Sequence, residues 1–130
     1  MTGLVNVCLY FLVAAVIIII ATFIFTKLVK YNVWEQINKG NLAVAMSTGG
    51  LILGLANIIQ FSIKSSETIF ETTIWGMVGI VALFVVYFGF EFLTPKLNVM
   101  KEIEKDNRAV GFITMMYIVA FSFVIAACIS

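Results

Sequence analysis

The chain has no histidine, a single proline and two cysteines, and only 12% of its 130 residues carry a charge. Each shortage excludes something. Without histidine, no side chain titrates near neutral pH unaided, and the commonest metal ligand is gone. Two cysteines alone make no metal site, so no metal is expected. No nucleophile–base pair and no phosphate-binding loop occur, so the chain is not expected to be an enzyme, and no catalytic residue or cofactor is assigned. Soluble domains carry about 25% charged residues, and half that share is too little to cover a water-exposed surface. A net charge of +1 offers nothing to nucleic acid.

What is abundant is apolar: 62% of the residues, gathered in blocks. Four blocks are long enough to span a bilayer, roughly Leu4 to Phe25, Leu42 to Ile63, Ile74 to Leu93 and Ala109 to Ile129. About 20 apolar residues cross the hydrocarbon core as a helix. Unpaired backbone groups are not tolerated there. The runs are continuous rather than alternating, which excludes a barrel. The first block reads as a span rather than a cleaved signal, because no basic residue precedes it.

Between the spans a fifteen-residue pattern occurs twice, 66 positions apart. Residues 30–44 read KYNVWEQINKGNLAV and residues 96–110 read KLNVMKEIEKDNRAV, with eight of the fifteen positions identical. The expected fold is therefore all-α and integral to the membrane. It is a single membrane domain over residues 1–130, four transmembrane helices built as a tandem duplicated two-helix hairpin (about 4–64 and 70–130). Each unit crosses twice, so the repeat is parallel. Loops one and three are each expected to hold a short amphipathic helix at the lipid surface. Asn32 and Asn98 would cap them, and Val33, Trp34 and Ile37, or Val99, Met100 and Ile103, would form the apolar face. Pro95 would stop the third span before the second short helix.

Charge placement predicts orientation. Seven of the eight basic residues flank these two loops: Lys27, Lys30, Lys39, Lys96, Lys101, Lys105 and Arg108. By the positive-inside rule both loops are cytoplasmic and both termini face outward. The basic surface (Lys30, Lys39, Lys96, Lys101, Lys105, Arg108) is a candidate contact for lipid headgroups or for a cytosolic partner. Trp75 is placed at the outer interface. Cys8 and Cys128 both fall near outer helix ends, either as packed small hydrophobes or as a disulfide.

Within the spans, Ser47, Gly50, Gly54 and Asn57 follow one stripe of the second helix, and Gln60 extends it. The stripe is either a helix-packing surface or, in a homo-oligomer, the lining of a pore. Asn41 and Asn107 are either N-caps of spans two and four or parts of a cytoplasmic mouth. Glu91 is the one acid inside an apolar run. It either pairs near the boundary with Lys27, Lys30 or Lys96 and accepts from Tyr87 one turn earlier, or it carries a proton or cation.

The first hairpin, VWEQINKGNLAVAMSTGGLILGLA, resembles the domain-of-unknown-function-350 family, the YjfL-like (UPF0719) small bacterial membrane proteins. Trp34, Glu35, Ile37, Gly40, Asn41, Ala43, Ala45, Gly49, Gly50 and Gly54 carry the resemblance, and Asn107, Ala109 and Gly111 repeat part of it. The resemblance implies a multi-pass protein of a bacterial plasma (inner) membrane with no assigned catalytic residue. Through the family's genomic company it also implies a link to envelope maintenance or stress. Two functions are therefore expected: a homo-oligomeric small pore or permeation protein, or a membrane anchor or sensor that docks a cytosolic stress protein.

Overall fold

The computed structural model describes residues 2–93 and 98–129, and of Thr2 the backbone only. Six helices follow in order: α1 Thr2–Leu28, α2 Val33–Asn38, α3 Leu42–Ser65, α4 Ile69–Leu93, α5 Val99–Glu104 and α6 Arg108–Ile129. Pro95, the expected helix stop, and Lys96, one of the expected basic residues, lie outside the described residues. The long helices α1, α3, α4 and α6 are apolar and long enough to cross a membrane. Even the shortest, at 22 residues, rises about 33 Å.

Polar caps carry α4 past its apolar run. It begins at Ile69 rather than Ile74 because the Thr68 hydroxyl accepts from the Glu71 N–H at 3.1 Å, and the Glu71 carboxylate accepts from the Glu67 N–H at 3.2 Å. At the other end of the same turn, buried Ser62 donates to the Thr72 carbonyl at 2.8 Å and ties α3 to α4. Trp75 is exposed on α4.

The hub is α3. Most of its length is buried, and it packs on α1, α4 and α6. It runs parallel to α6, with Ala43 opposite Gly111, Gly50 opposite Met115 and Asn57 opposite Ser122. It runs antiparallel to α4, with Ser62 opposite Thr72, Ile58 opposite Gly79 and Gly54 opposite Leu83. At the rim lies α1, mostly exposed. It is buried through Ala21, Thr22 and Phe25, the last set edge-on against Tyr87 at 5.0 Å. Cys8 and Cys128 are both exposed, free thiols.

The two repeated loop segments fold alike, bond for bond. Gln36 N–H reaches the Asn32 carbonyl as Glu102 N–H reaches Asn98, and Asn41 N–H reaches Gln36 as Asn107 N–H reaches Glu102. The turn after each short helix needs a positive φ, taken by Gly40 (+87°) and by Asp106 (+63°). The short helices differ from expectation in what they face. Val99, Met100 and Ile103 of α5 and Val33 of α2 are buried in the bundle rather than laid on lipid, and of the expected apolar residues only Trp34 is exposed. The physical reason is proximity: each loop turns back tightly, so its apolar side meets the ends of the long helices before it meets lipid. Asn32 accepts from the Glu35 N–H at 3.2 Å. Asn98 makes no side-chain cap bond; it sits in the left-handed region at φ +50°, which turns its side chain away from the helix start.

At Gly111 the backbones of α3 and α6 come close. A Cβ there would lie 2.7 Å from the Ala43 Cα and 2.9 Å from its carbonyl oxygen, backbone atoms with no freedom to yield. Gly49 faces open space. Gly111→Ala is therefore expected to cost about 1–3 kcal/mol through overpacking. Gly49→Ala, in the same bundle, is expected to be neutral or to gain up to about 1 kcal/mol. Unfolding of both variants in detergent micelles measures the contrast; equal stabilities would remove the α3–α6 contact as a close one.

Candidate functional site

Three polar groupings stand out. The first is the small-residue stripe. Ser47, Gly50, Gly54 and Asn57 come together on the buried side of α3, while Gln60 is exposed. Gly50 meets Met115, and Gly54 meets Leu83, Ile118 and Ser122. Asn57 Nδ2 donates to Ser122 Oγ at 3.0 Å, Ser122 donates to the Val119 carbonyl at 2.6 Å, and Gln60 Nε2 donates to Asn57 Oδ1 at 2.9 Å. In lipid such a chain satisfies groups that have no water to turn to. Beside it a groove of about 450 Å³ opens between Leu53, Ala56, Asn57, Gln60, Val119 and Phe123.

The second grouping locks the two loop segments together. Asn41 caps α3, its Oδ1 accepting from the Val44 N–H at 3.0 Å. Its Nδ2 donates to the Glu104 carbonyl at 2.9 Å and to Gln36 Oε1 at 3.2 Å. Asp106 Oδ1 accepts from the Ala43 N–H at 2.9 Å, so a side chain of the second segment caps the helix that follows the first. Asn107 accepts from the Val110 N–H at 3.3 Å and donates to Glu102 at 3.4 Å, within its own segment. The cross-link through Asn41 and Asp106 had no sequence signal beyond the residues' capping types. Only the fold brings positions 63 residues apart together.

The third grouping is the charged one. Glu91, half-buried near the end of α4, faces a cavity of about 320 Å³ lined by Lys30, Tyr31, Asn98, Met100, Lys101 and Glu104. Of the expected partners of Glu91, Lys30 lines the same cavity and Lys96 lies outside the described residues. Lys27 lies over the Phe23 ring at 5.2 Å, and neither Lys27 nor Lys30 pairs with it. Nor does Tyr87 donate to it: that ring is buried against Phe25 and Phe88, and its hydroxyl sits by those of Ser47 and Tyr31. These three hydroxyls are neighbours in the core, yet none completes a hydrogen bond with another protein group. Tyr31 is the residue that sequence reasoning missed. Its place in the loop between two helices gave no hint of burial. Burial pushes its phenol well above the usual tyrosine range, and Tyr87, Glu104 and Glu91 add to the shift.

Of the other basic residues, Lys39 pairs with Glu35 at 3.2 Å and Arg108 approaches Asp106 at 3.8 Å, both at exposed positions. Lys30, Lys101 and Lys105 are exposed and form no ion pair.

Two outcomes follow. Asn41→Ala removes a cap and the bond to the other segment and is expected to cost about 2–3 kcal/mol, whereas Asn107→Ala loses a local cap worth about 1 kcal/mol; unfolding in micelles gives both values. For Tyr31, the unfolded chain releases the phenolic proton near pH 10 while the native protein holds it, so stability falls as pH rises beyond about 10. Tyr31→Phe is expected to flatten part of that alkaline loss, read from unfolding at pH 8 and pH 11.

Known proteins place this architecture. The family model described as Domain of Unknown Function (DUF350) matches residues 1–129. The chain is 48% identical over 124 residues to the UPF0719 transmembrane protein YshE of Bacillus subtilis, covering 95% of this chain and 92% of that one. It is 26% identical over 121 residues to the UPF0719 inner membrane protein YjfL of Escherichia coli K12, covering 93% and 90%. No solved structure matches. With four membrane-length helices and a family match along nearly its whole length, the chain belongs to the DUF350 (UPF0719) family of multi-pass membrane proteins.

Proposed function

We propose that this protein is a non-enzymatic scaffold of the bacterial inner membrane, which docks a cytosolic protein through the end where its two repeated loop segments interlock. In this reading both termini face away from the cytoplasm, and the partner belongs to envelope maintenance or stress. The observation that carries it is the closure of the α3 stripe. Ser47, Gly50, Gly54 and Asn57 are already buried against α6 and α4 of the same chain. A pore lined by them would require α3 and α6 to part at the Ala43–Gly111 contact. What stays free is the loop end, where Lys30, Lys101 and Lys105 are exposed without ion pairs. Exposed charges of this kind attract and orient a partner more than they stabilise the fold.

The pore reading retains one favourable observation, the exposed amide of Gln60 beside the groove between α3 and α6. In a homo-oligomer that side chain would meet its copies.

Reconstitution separates the two. In liposomes the purified protein is expected to add no ion flux above empty vesicles, and Asn57→Leu or Gln60→Leu is expected to change nothing. In cells, a photo-cross-linker at position 105 is expected to capture one discrete protein that a cross-linker at position 64 does not. The capture should disappear when Lys30, Lys101 and Arg108 are all changed to Glu, with membrane insertion intact. Flux that depends on Asn57 or Gln60 would overturn the scaffold and restore the pore.

A further inference from the structure

Four charged side chains of both signs face one cavity without pairing. Lys30, Glu91, Lys101 and Glu104 all line it, together with Tyr31 and Asn98. The ion pairs among the described residues are Lys39–Glu35 and Arg108–Asp106, and neither involves this group. Opposite charges that share a small, partly enclosed space and still stand apart leave room between them for something that carries both signs. A half-buried carboxylate such as Glu91 is costly without a cationic partner, more so close to lipid.

The cavity also has a direction. It shares Lys30, Glu91 and Asn98 with a second, more open space of about 630 Å³, walled by Phe88 and Phe92 of α4. Phe92 is among the most exposed apolar side chains of the protein, at 82%. One end is thus polar, with two acids and two lysines near the helix ends. The other is an aromatic-walled groove running along the lipid-facing side of α4. This is the outline of an amphiphile, with a zwitterionic head and an apolar body. Tyr31, buried against Tyr87 behind the cavity, supplies a rigid back wall.

We propose that this cavity binds an aminophospholipid headgroup, with the primary ammonium between Glu91 and Glu104 and the phosphate between Lys30 and Lys101, while the acyl chains follow Phe88 and Phe92. The proposal shares Lys30 and Lys101 with the scaffold reading, but its test reads lipid binding to the purified protein and its outcome is independent of any cytosolic partner. The chemistry selects within lipids. A primary ammonium offers three N–H donors to carboxylates. A quaternary ammonium offers none. A headgroup with phosphate and no amine leaves Glu91 and Glu104 unmatched beside an anion. Charge-assisted bonds of this kind are shorter and stronger than neutral ones.

Native mass spectrometry of the delipidated full chain in detergent tests it, with lipids of identical acyl chains. Phosphatidylethanolamine is expected to bind about tenfold more tightly than phosphatidylcholine or phosphatidylglycerol, the loss of roughly one charge-assisted contact. Stepwise N-methylation of the headgroup is expected to weaken binding in order, a result that needs no variant and so cannot be confused with misfolding. Glu91→Gln is expected to erase the preference over phosphatidylglycerol, and Lys101→Gln to weaken phosphatidylethanolamine and phosphatidylglycerol alike. Equal binding of all three lipids would overturn the proposal, as would a preference that survives Glu91→Gln. Soluble glycerophosphoethanolamine distinguishes the source. If it displaces the lipid at comparable concentration, the site serves a free phosphoamine and the lipid assignment fails.

Discussion

The contact between Ala43 and Gly111 governs the rest of this molecule. Two parallel helices approach there until backbone meets backbone, and a single methyl group at position 111 would collide with the Ala43 Cα. Helices in lipid gain little from hiding apolar surface, since the surroundings are equally apolar; close packing and hydrogen bonds must hold them. The contact supplies the first. Asn41 and Asp106 supply the second, one donating to the Glu104 carbonyl and the other accepting from the Ala43 N–H, at the same end of the same helix pair. With α3 and α6 joined this way, α4 closes over both and α1 is left to the rim.

The polar side chains of the spans follow from that arrangement. Thr114 returns its hydroxyl to the Val110 carbonyl at 2.8 Å, and Thr73 does the same to Ile69 at 2.9 Å, so neither needs a partner helix. Asn57 cannot satisfy itself in this way, and its bond to Ser122 makes the α3–α6 interface specific in register as well as tight. Tyr31, Ser47, Thr48, Ser66 and Tyr87 are exceptions, hydroxyls buried without completed bonds. Of these, Tyr31 lines the charged cavity, where a bound polar group would complete its bonding.

Much of this was legible in the sequence because lipid imposes simple rules. Long apolar runs had to become helices, and the four long helices stand close to where the runs do. The repeated segments read as short helices followed by a turn and an asparagine, and both fold so. Legibility failed where burial depends on tertiary return. Nothing in VMKEI distinguishes an α5 that faces lipid from one that folds back under the bundle. Asn98 carried a capping residue's identity but took a left-handed backbone. Glu91 was conspicuous as a lone acid, yet its neighbours come from the end of α1 and from α5, distant in sequence. The stripe of α3 was visible as a stripe; which helix covered it was not.

The same 66-residue offset that aligns the loop segments shows where the two stretches of sequence part. Glu91 corresponds to Phe25, which is fully buried against Tyr87 and Phe84. Asn57 corresponds to Phe123, and Gly50 to Met116, both exposed apolar residues of α6. Asp106 corresponds to Gly40, which has no carboxylate to offer the opposite helix. The differences sort by burial. The polar and small residues lie on α3, the buried hub, while α6 turns an apolar face outward. The acid lies on α4, which packs on α3 and α6, while 66 positions earlier α1 carries an aromatic ring that holds it at the rim. Two acids at one end of a small bundle would carry the desolvation cost of both. A phenyl ring at position 25 confines that cost to Glu91, where lysines from other segments face the same space.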